Sequence, residues 1–120
     1  MPRILKLTAA VLVAMAVLAG CSSQSLDMAT VKSVIDVRTP AEYAAGHLQG
    51  AVNIDVEGAA FATEIETLDK TANYVVYCHS GRRAGLAVDY MTKDGFTGTL
   101  TNAGGIDDAS AATKLSIVTN

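Results

Sequence analysis

Cysteine is scarce in this chain: two in 120 residues leave no disulfide scaffold, and two histidines leave no His-rich metal site. Positive charge is scarce as well. Residues 1–20 hold Arg3 and Lys6 and no acid, so the remaining 100 residues carry 7 basic against 12 acidic side chains. That balance makes a poor general binder of nucleic acid. There is no long basic or Gln/Asn-rich tail, and no apolar run reaches the roughly 20 residues of a membrane-crossing helix. About 100 residues beyond the first 20 suffice for one modest core.

What the front of the chain does have is a short positive region followed by 14 uncharged, mostly apolar residues, 7–20 (LTAAVLVAMAVLAG). That is the length of the core of an export signal. The run closes on Leu18-Ala19-Gly20-Cys21, which resembles the bacterial lipobox, where diacylglycerol is attached to the Cys sulfur and the signal is cut before it. Ser22 resembles the outer-membrane sorting pattern of Gram-negative lipoproteins. The resemblance implies a signal peptide over 1–20, a lipid on Cys21, and a protein held in the cell envelope, facing the periplasm or the cell exterior. Several acyl chains on one Cys would hold it durably. Residues 21–29 read as a lipidated tether, which leaves 30–118 for the folded domain. With Cys21 a thioether, Cys78 would be the one free thiol of the mature chain, and a lone thiol in an oxidising compartment needs a reason.

The remainder alternates between strand and helix signals. A β-branched run at 34–37 ends at Arg38-Thr39-Pro40. Thr39-x-x-Glu42 is a capping box with Pro40 at the first helical position, so a short helix starts there and stops at Gly46. A second strand is expected at 51–54. Phe61, Ile65 and Leu68 predict an amphipathic helix over 59–69. The apolar run 74–77 predicts a strand covered on both faces. Leu86 with Tyr90 and Ala87 with Met91 predict the buried stripe of a helix over 83–93, ended near Gly95. A further strand is expected at 98–101 and a closing helix at 107–114. The pattern is that of an α/β domain with a mainly parallel sheet.

The chemistry concentrates where the 74–77 strand turns into the next helix, at Cys78-His79-Ser80-Gly81-Arg82-Arg83. Ligands bind at the carboxyl ends of strands in such sheets, and a helix N-terminus offers free N–H groups to an anion. Gly81 permits a turn that points successive amides inward. A Cys at the mouth of that nest, beside Arg82 and Arg83, is set up as a nucleophile through its thiolate.

Cys78-x-x-Gly81-x-Arg83 resembles the active-site loop of the rhodanese family of sulfurtransferases. Asp36-Val37-Arg38-Thr39-Pro40-x-Glu42-Tyr43, then Gly46-His47 and Gly50-Ala51-x-Asn53-Ile54, is similar to the family's amino-terminal signature, and Gly104-Gly105 matches a third element. The resemblance implies a rhodanese-like three-layer domain with a central, mainly parallel sheet flanked by helices. It implies sulfur transfer through a persulfide on Cys78, with no cofactor and no metal, in a monomer. The partners would be a small sulfur-anion donor such as thiosulfate and a thiol or cyanide-like acceptor. Arg83 would fix the loop and the anionic donor, and His79, Ser80, Gly81 and Arg82 would form the substrate-binding loop. Two positions depart from the family pattern: Ala84 stands where Ser is frequent, and Ala109 where Trp is frequent.

Other readings stay open beside this one. The loop could belong to a module that binds or senses sulfur anions with little turnover. A phosphatase or arsenate reductase is disfavoured, since its loop runs Cys-x5-Arg and this one Cys-x4-Arg. Gly81 stands where a Cys-x-x-Cys oxidoreductase needs its second thiol. His79 and Arg82 read as outward-facing, and His47 as structural. Asp36 and Arg38 could support the site from a strand end, or serve the fold through a hydrogen bond or an Arg38–Glu42 pair.

Overall fold

The computed structural model describes residues 26–119, so the 1–20 signal and Cys21 lie outside the described residues. Strand β1 (Val31–Asp36) leads into helix α1 (Pro40–Ala45), then two short strands, β2 (His47–Leu48) and β3 (Val52–Asn53). Helix α2 (Phe61–Glu66), strand β4 (Asn73–Cys78), helix α3 (Arg82–Lys93), strand β5 (Leu100–Gly105), helix α4 (Ile106–Thr113) and strand β6 (Ile117–Val118) follow. The main sheet is parallel in the order β3-β1-β4-β5, which puts β4 in the interior with Cys78 at its carboxyl end.

Period-two alternation divides the buried side chains between two faces. Ile35, Val37, Tyr74, Val76 and Cys78 join Phe61 and Ile65 of α2 and Ala84, Ala87 and Met91 of α3. Val34, Val75 and Tyr77 join Leu48, Ala51 and Ala109 of α4, with Tyr43 of α1 packed against them. The result is the three-layer α/β arrangement, a parallel sheet between helices. Both departures from the family pattern fall in these cores, Ala84 under α3 and Ala109 under α4, each fully buried.

Helix α1 starts as its spacing predicts: Thr39 Oγ1 accepts from Glu42 N, and Thr39 N donates to Glu42 Oε1, both at 3.3 Å. Other elements differ from expectation. Leu86 and Tyr90 are 53% and 38% exposed, because α3 presents Ala84, Ala87 and Met91 to the sheet, and these turn the 86/90 row to the flank. Helix α2 ends at Thr67, whose Oγ1 donates to Glu64 O at 2.6 Å. Strand β5 runs on to Gly105, four residues past the expected end. Antiparallel β2–β6 pairing has no counterpart in the sequence reading, since two-residue strands carry no periodicity. Leu26 N donates to Ala112 O at 3.0 Å, and Leu26 and Met28 pack on the α4-side core, so residues 26–29 of the segment read as a tether lie against the domain.

Candidate active site

Three segments distant in sequence converge at the carboxyl ends of β1 and β4. The nucleophile candidate is Cys78, fully buried, and its Sγ accepts from Gly81 N at 2.9 Å. That hydrogen bond closes the loop His79–Ser80–Gly81 on itself. It requires Gly81 at φ +95, a left-handed conformation that a side chain would strain. Gly81 is also the N-cap of α3, whose first intrahelical bond runs from Gly85 N to Gly81 O at 3.0 Å. The first N–H groups of α3 have no intrahelical acceptor and open towards the loop. With the helix dipole they favour negative charge there. His79, Ser80 and Arg82 are exposed around the mouth.

Strand β5 forms the back wall of the loop. A Cβ on Gly105 would collide with the His79 carbonyl oxygen, and one on Gly81 would sit 3.3 Å from Gly104 Cα. The double glycine therefore serves close approach of two backbones. Gly104 takes φ +80 within a β-bulge: Val76 pairs Asn102 but Cys78 pairs Gly105, so β5 carries an extra residue at the level of the nucleophile. Asn102, which the sequence reading passed over, spans the gap. Its Nδ2 donates to Gly81 O and its Oδ1 accepts from Gly104 N, both at 2.9 Å. A side-chain amide two residues before a Gly pair was the available signal.

Arg83 does not face the loop as a free cation. Its Nη1 and Nη2 donate to Glu42 Oε1 and Oε2 at 2.7 and 3.0 Å, a bidentate pair between α3 and α1. The Arg83 guanidinium, assisted by the Thr39 amide, holds the Glu42 carboxyl down at about 2, against a partial desolvation. Glu42 in turn raises Arg83 further above its ordinary range. Glu42 is thus both the N3 residue of the α1 capping box and the anchor of Arg83. Among the described residues Arg82 forms no ion pair.

Of the two structural options, Asp36 and Arg38 take the hydrogen bond, made to each other. Arg38 pairs with Asp36, Nη2 to Oδ2 at 2.7 Å and Nε to Oδ1 at 3.0 Å, and donates to Gly46 O at 2.6 Å; the expected Arg38–Glu42 pair does not form. Both side chains are buried, and the guanidinium lies 5.7 Å from the centre of the Tyr77 ring. Burial pushes the Tyr77 hydroxyl up, and that oxygen accepts from Leu48 N at 3.0 Å. Asn53 Nδ2 closes the group by donating to the carbonyls of Asp36 and Arg38 at 3.0 and 2.9 Å. His47 is structural as expected, buried with its ring 3.8 Å from the Tyr43 ring and its Nδ1 2.8 Å from Tyr43 O. This cluster stiffens the turn from β1 into α1, the element that carries Glu42.

Comparison with known proteins gives a consistent result. The family model described as a rhodanese-like domain matches residues 22–112. Thiosulfate sulfurtransferase PspE of Escherichia coli (strain K12) is 36% identical over 84 residues, covering 70% of this chain and 80% of that protein. Thiosulfate sulfurtransferase GlpE of Pseudomonas entomophila (strain L48) is 34% identical over 74 residues, 62% of this chain and 66% of that one. Among solved structures, a rhodanese with anions from E. coli superposes with a TM-score of 0.59 at 34% identity, covering 73% of this chain and 98% of that one. A rhodanese-related protein from Thermoplasma volcanium shares the fold at a TM-score of 0.63 and 22% identity, covering 81% of this chain and 99% of that one.

Proposed function

Because this chain belongs to the rhodanese-like domain family and is a sulfurtransferase of the rhodanese type, we propose that it moves a sulfane sulfur through a persulfide on Cys78. The observation that carries the reading is the Gly81 N–H donating to Cys78 Sγ at the N-terminus of α3. A thiolate or persulfide at that point meets amides already aimed at it, so little reorganisation accompanies the gain of charge.

In the first half-reaction the Cys78 thiolate attacks the outer sulfur of thiosulfate. The donor S–S bond breaks, its electron pair leaves with sulfite, and Cys78 carries a negatively charged persulfide. In the second, a nucleophile such as cyanide or a thiolate attacks the outer sulfur and Cys78 leaves as thiolate. Electrons balance within each step, so no external oxidant or reductant enters. The names of the relatives support thiosulfate as the donor. With Arg83 committed to Glu42, first contact with the anionic donor falls to Arg82 and the free amides of α3, while Arg83 holds the loop against α1. The Cys-x4-Arg spacing supports a pocket for one sulfur over one for a tetrahedral phosphate.

The lipobox-like Leu18-Ala19-Gly20-Cys21 supports a second part of the reading: export, lipid attachment at Cys21, and a monomeric catalytic domain facing the periplasm or the cell exterior. The outer membrane is the destination that Ser22 favours in a Gram-negative envelope.

Mass spectrometry of the protein after thiosulfate tests the chemistry. Cys78 is expected to gain one sulfur and lose it to cyanide, and Cys78→Ser to do neither. Failure to gain sulfur from any of several donors would replace this reading with a module that binds sulfur anions without turnover.

A further inference from the structure

We propose that Asn102 is a positioning residue for sulfur transfer, holding the Gly81–Arg82 peptide so that the Arg82 N–H is aimed at the sulfur Cys78 carries. The inference rests on the persulfide reading for what the amide meets, and on geometry alone for how the amide is aimed.

A trans peptide is planar, with its C=O and N–H pointing in opposite directions. No peptide bond in the described residues is cis. The Gly81 carbonyl accepts from two donors on the far side of the loop, Gly85 N at 3.0 Å and Asn102 Nδ2 at 2.9 Å. The N–H of the same plane, on Arg82, therefore points the opposite way, out of the N-terminal end of α3 towards the loop that holds Cys78. Next to it, the Gly81 N–H donates to Cys78 Sγ. Two successive amides thus face the nucleophile's side, one meeting the resting thiol and the other placed for an atom added beyond it.

Glycine makes this arrangement reachable and also makes it soft, since a residue at φ +95 without a Cβ turns easily towards other conformations. The helical bond from Gly85 fixes one end of the carbonyl's freedom, at a helix terminus where bonds fray. Asn102 supplies a second, lateral restraint from the sheet. Its own orientation is determined: Oδ1 is taken by Gly104 N, so Nδ2 is the group left to meet Gly81 O. Residue 102 pairs in register with Val76 just before the β-bulge at 103–104, and the bulge brings Gly104 N back to Asn102 Oδ1 while Gly81 lies close to Gly104. Asn102 is exposed and contributes nothing to either core, so a role in packing does not account for this pair of bonds.

The test uses the full chain with Asn102→Ala and Asn102→Asp, melts to verify folding, and the single-turnover rate at which thiosulfate loads Cys78. Asn102→Ala is expected to load about tenfold more slowly, the effect of one neutral hydrogen bond, and to keep a cooperative melt at a somewhat lower midpoint. Asp matches Asn in shape but, ionised, sets an oxygen against the Gly81 carbonyl. Its loading rate relative to wild type should be low at neutral pH and rise as the carboxyl gains a proton that it can donate. A merely structural role would give no such pH trend in the ratio. In isotope-labelled protein, titration with sulfite, which has no sulfane sulfur to give, should move the Arg82 amide proton signal in wild type and far less in Asn102→Ala. Wild-type loading by both folded variants, or an equal sulfite shift in Asn102→Ala, overturns the proposal. A wild type that shows the sulfite response but never loads sulfur would instead overturn the persulfide reading and leave the aiming role of Asn102 standing.

Discussion

Arg83 reaches Glu42 across 41 residues of sequence and binds it through both nitrogens and both oxygens, at 2.7 and 3.0 Å. The pair clamps the first turn of α3, which shapes the Cys78 loop, to the first turn of α1. It also places a carboxylate at an α-helix N-terminus, where it is favoured, and neutralises a cation at another, where it is not. A guanidinium fork suits this bidentate geometry and an ammonium does not.

Glu42→Gln is expected to destabilise the protein by about 1 kcal/mol at pH 7, the upper range for a partly exposed pair of good geometry. The folded carboxyl titrates at about 2, below its ordinary value of 4.5, so the ionised form is the one the fold favours. Its contribution is therefore complete above about 4.5 and lost as pH falls through about 2. Melts of wild type and Glu42→Gln should differ at neutral pH and converge in that acid window. A constant gap would show that the charge on Glu42 is not what Arg83 uses.

Gly105→Ala is expected to cost about 1–3 kcal/mol and to depress sulfur transfer more than other small changes outside the loop. Gly105 sits at φ −77, so conformational freedom is not its purpose; the His79 carbonyl occupies the space a Cβ would need. Denaturant melts and turnover of the residual folded protein measure both effects. A neutral outcome would mean that the loop yields to β5 without consequence.

Arg82 and Arg83 should separate in steady-state kinetics. Arg82→Ala removes an exposed cation that has no ion-pair partner among the described residues and is expected to raise KM for thiosulfate a few-fold, with a weaker salt dependence and kcat nearly unchanged. Arg83→Lys should lower kcat by about tenfold, since it loosens the loop. The reverse pattern would return donor binding to Arg83.

Cys21→Ser is expected to leave an unprocessed precursor that keeps its signal and carries no added lipid, as judged by size and by labelling with a fatty-acid precursor. Processing and lipid labelling indistinguishable from wild type would remove the lipobox reading.

Several features were legible from spacing alone because the forces behind them act within a few residues. Thr39-x-x-Glu42 with Pro40 announces the start of α1, since a capping box satisfies N–H groups one turn away. The apolar runs at 34–37 and 74–77 announce strands buried on both faces, and the strand–Cys78–Gly81–helix succession announces an anion-favouring turn. Tertiary structure decided the partners. Glu42 is within one helical turn of Arg38, yet it binds Arg83, because Arg38 is captured by Asp36 and the Gly46 carbonyl. Leu86 and Tyr90 have the spacing of a core stripe, but the alanines at 84 and 87 let α3 lie close to the sheet on its small face and turn the larger row outward. Asn102 bonds Gly81 across 21 residues of sequence because a β-bulge follows it and the Gly81 and Gly104 backbones approach closely. Helix and strand formation follow from neighbours along the chain. Which side chains meet across a parallel sheet depends on helix rotation and strand register, and those are set only when the whole core packs at once.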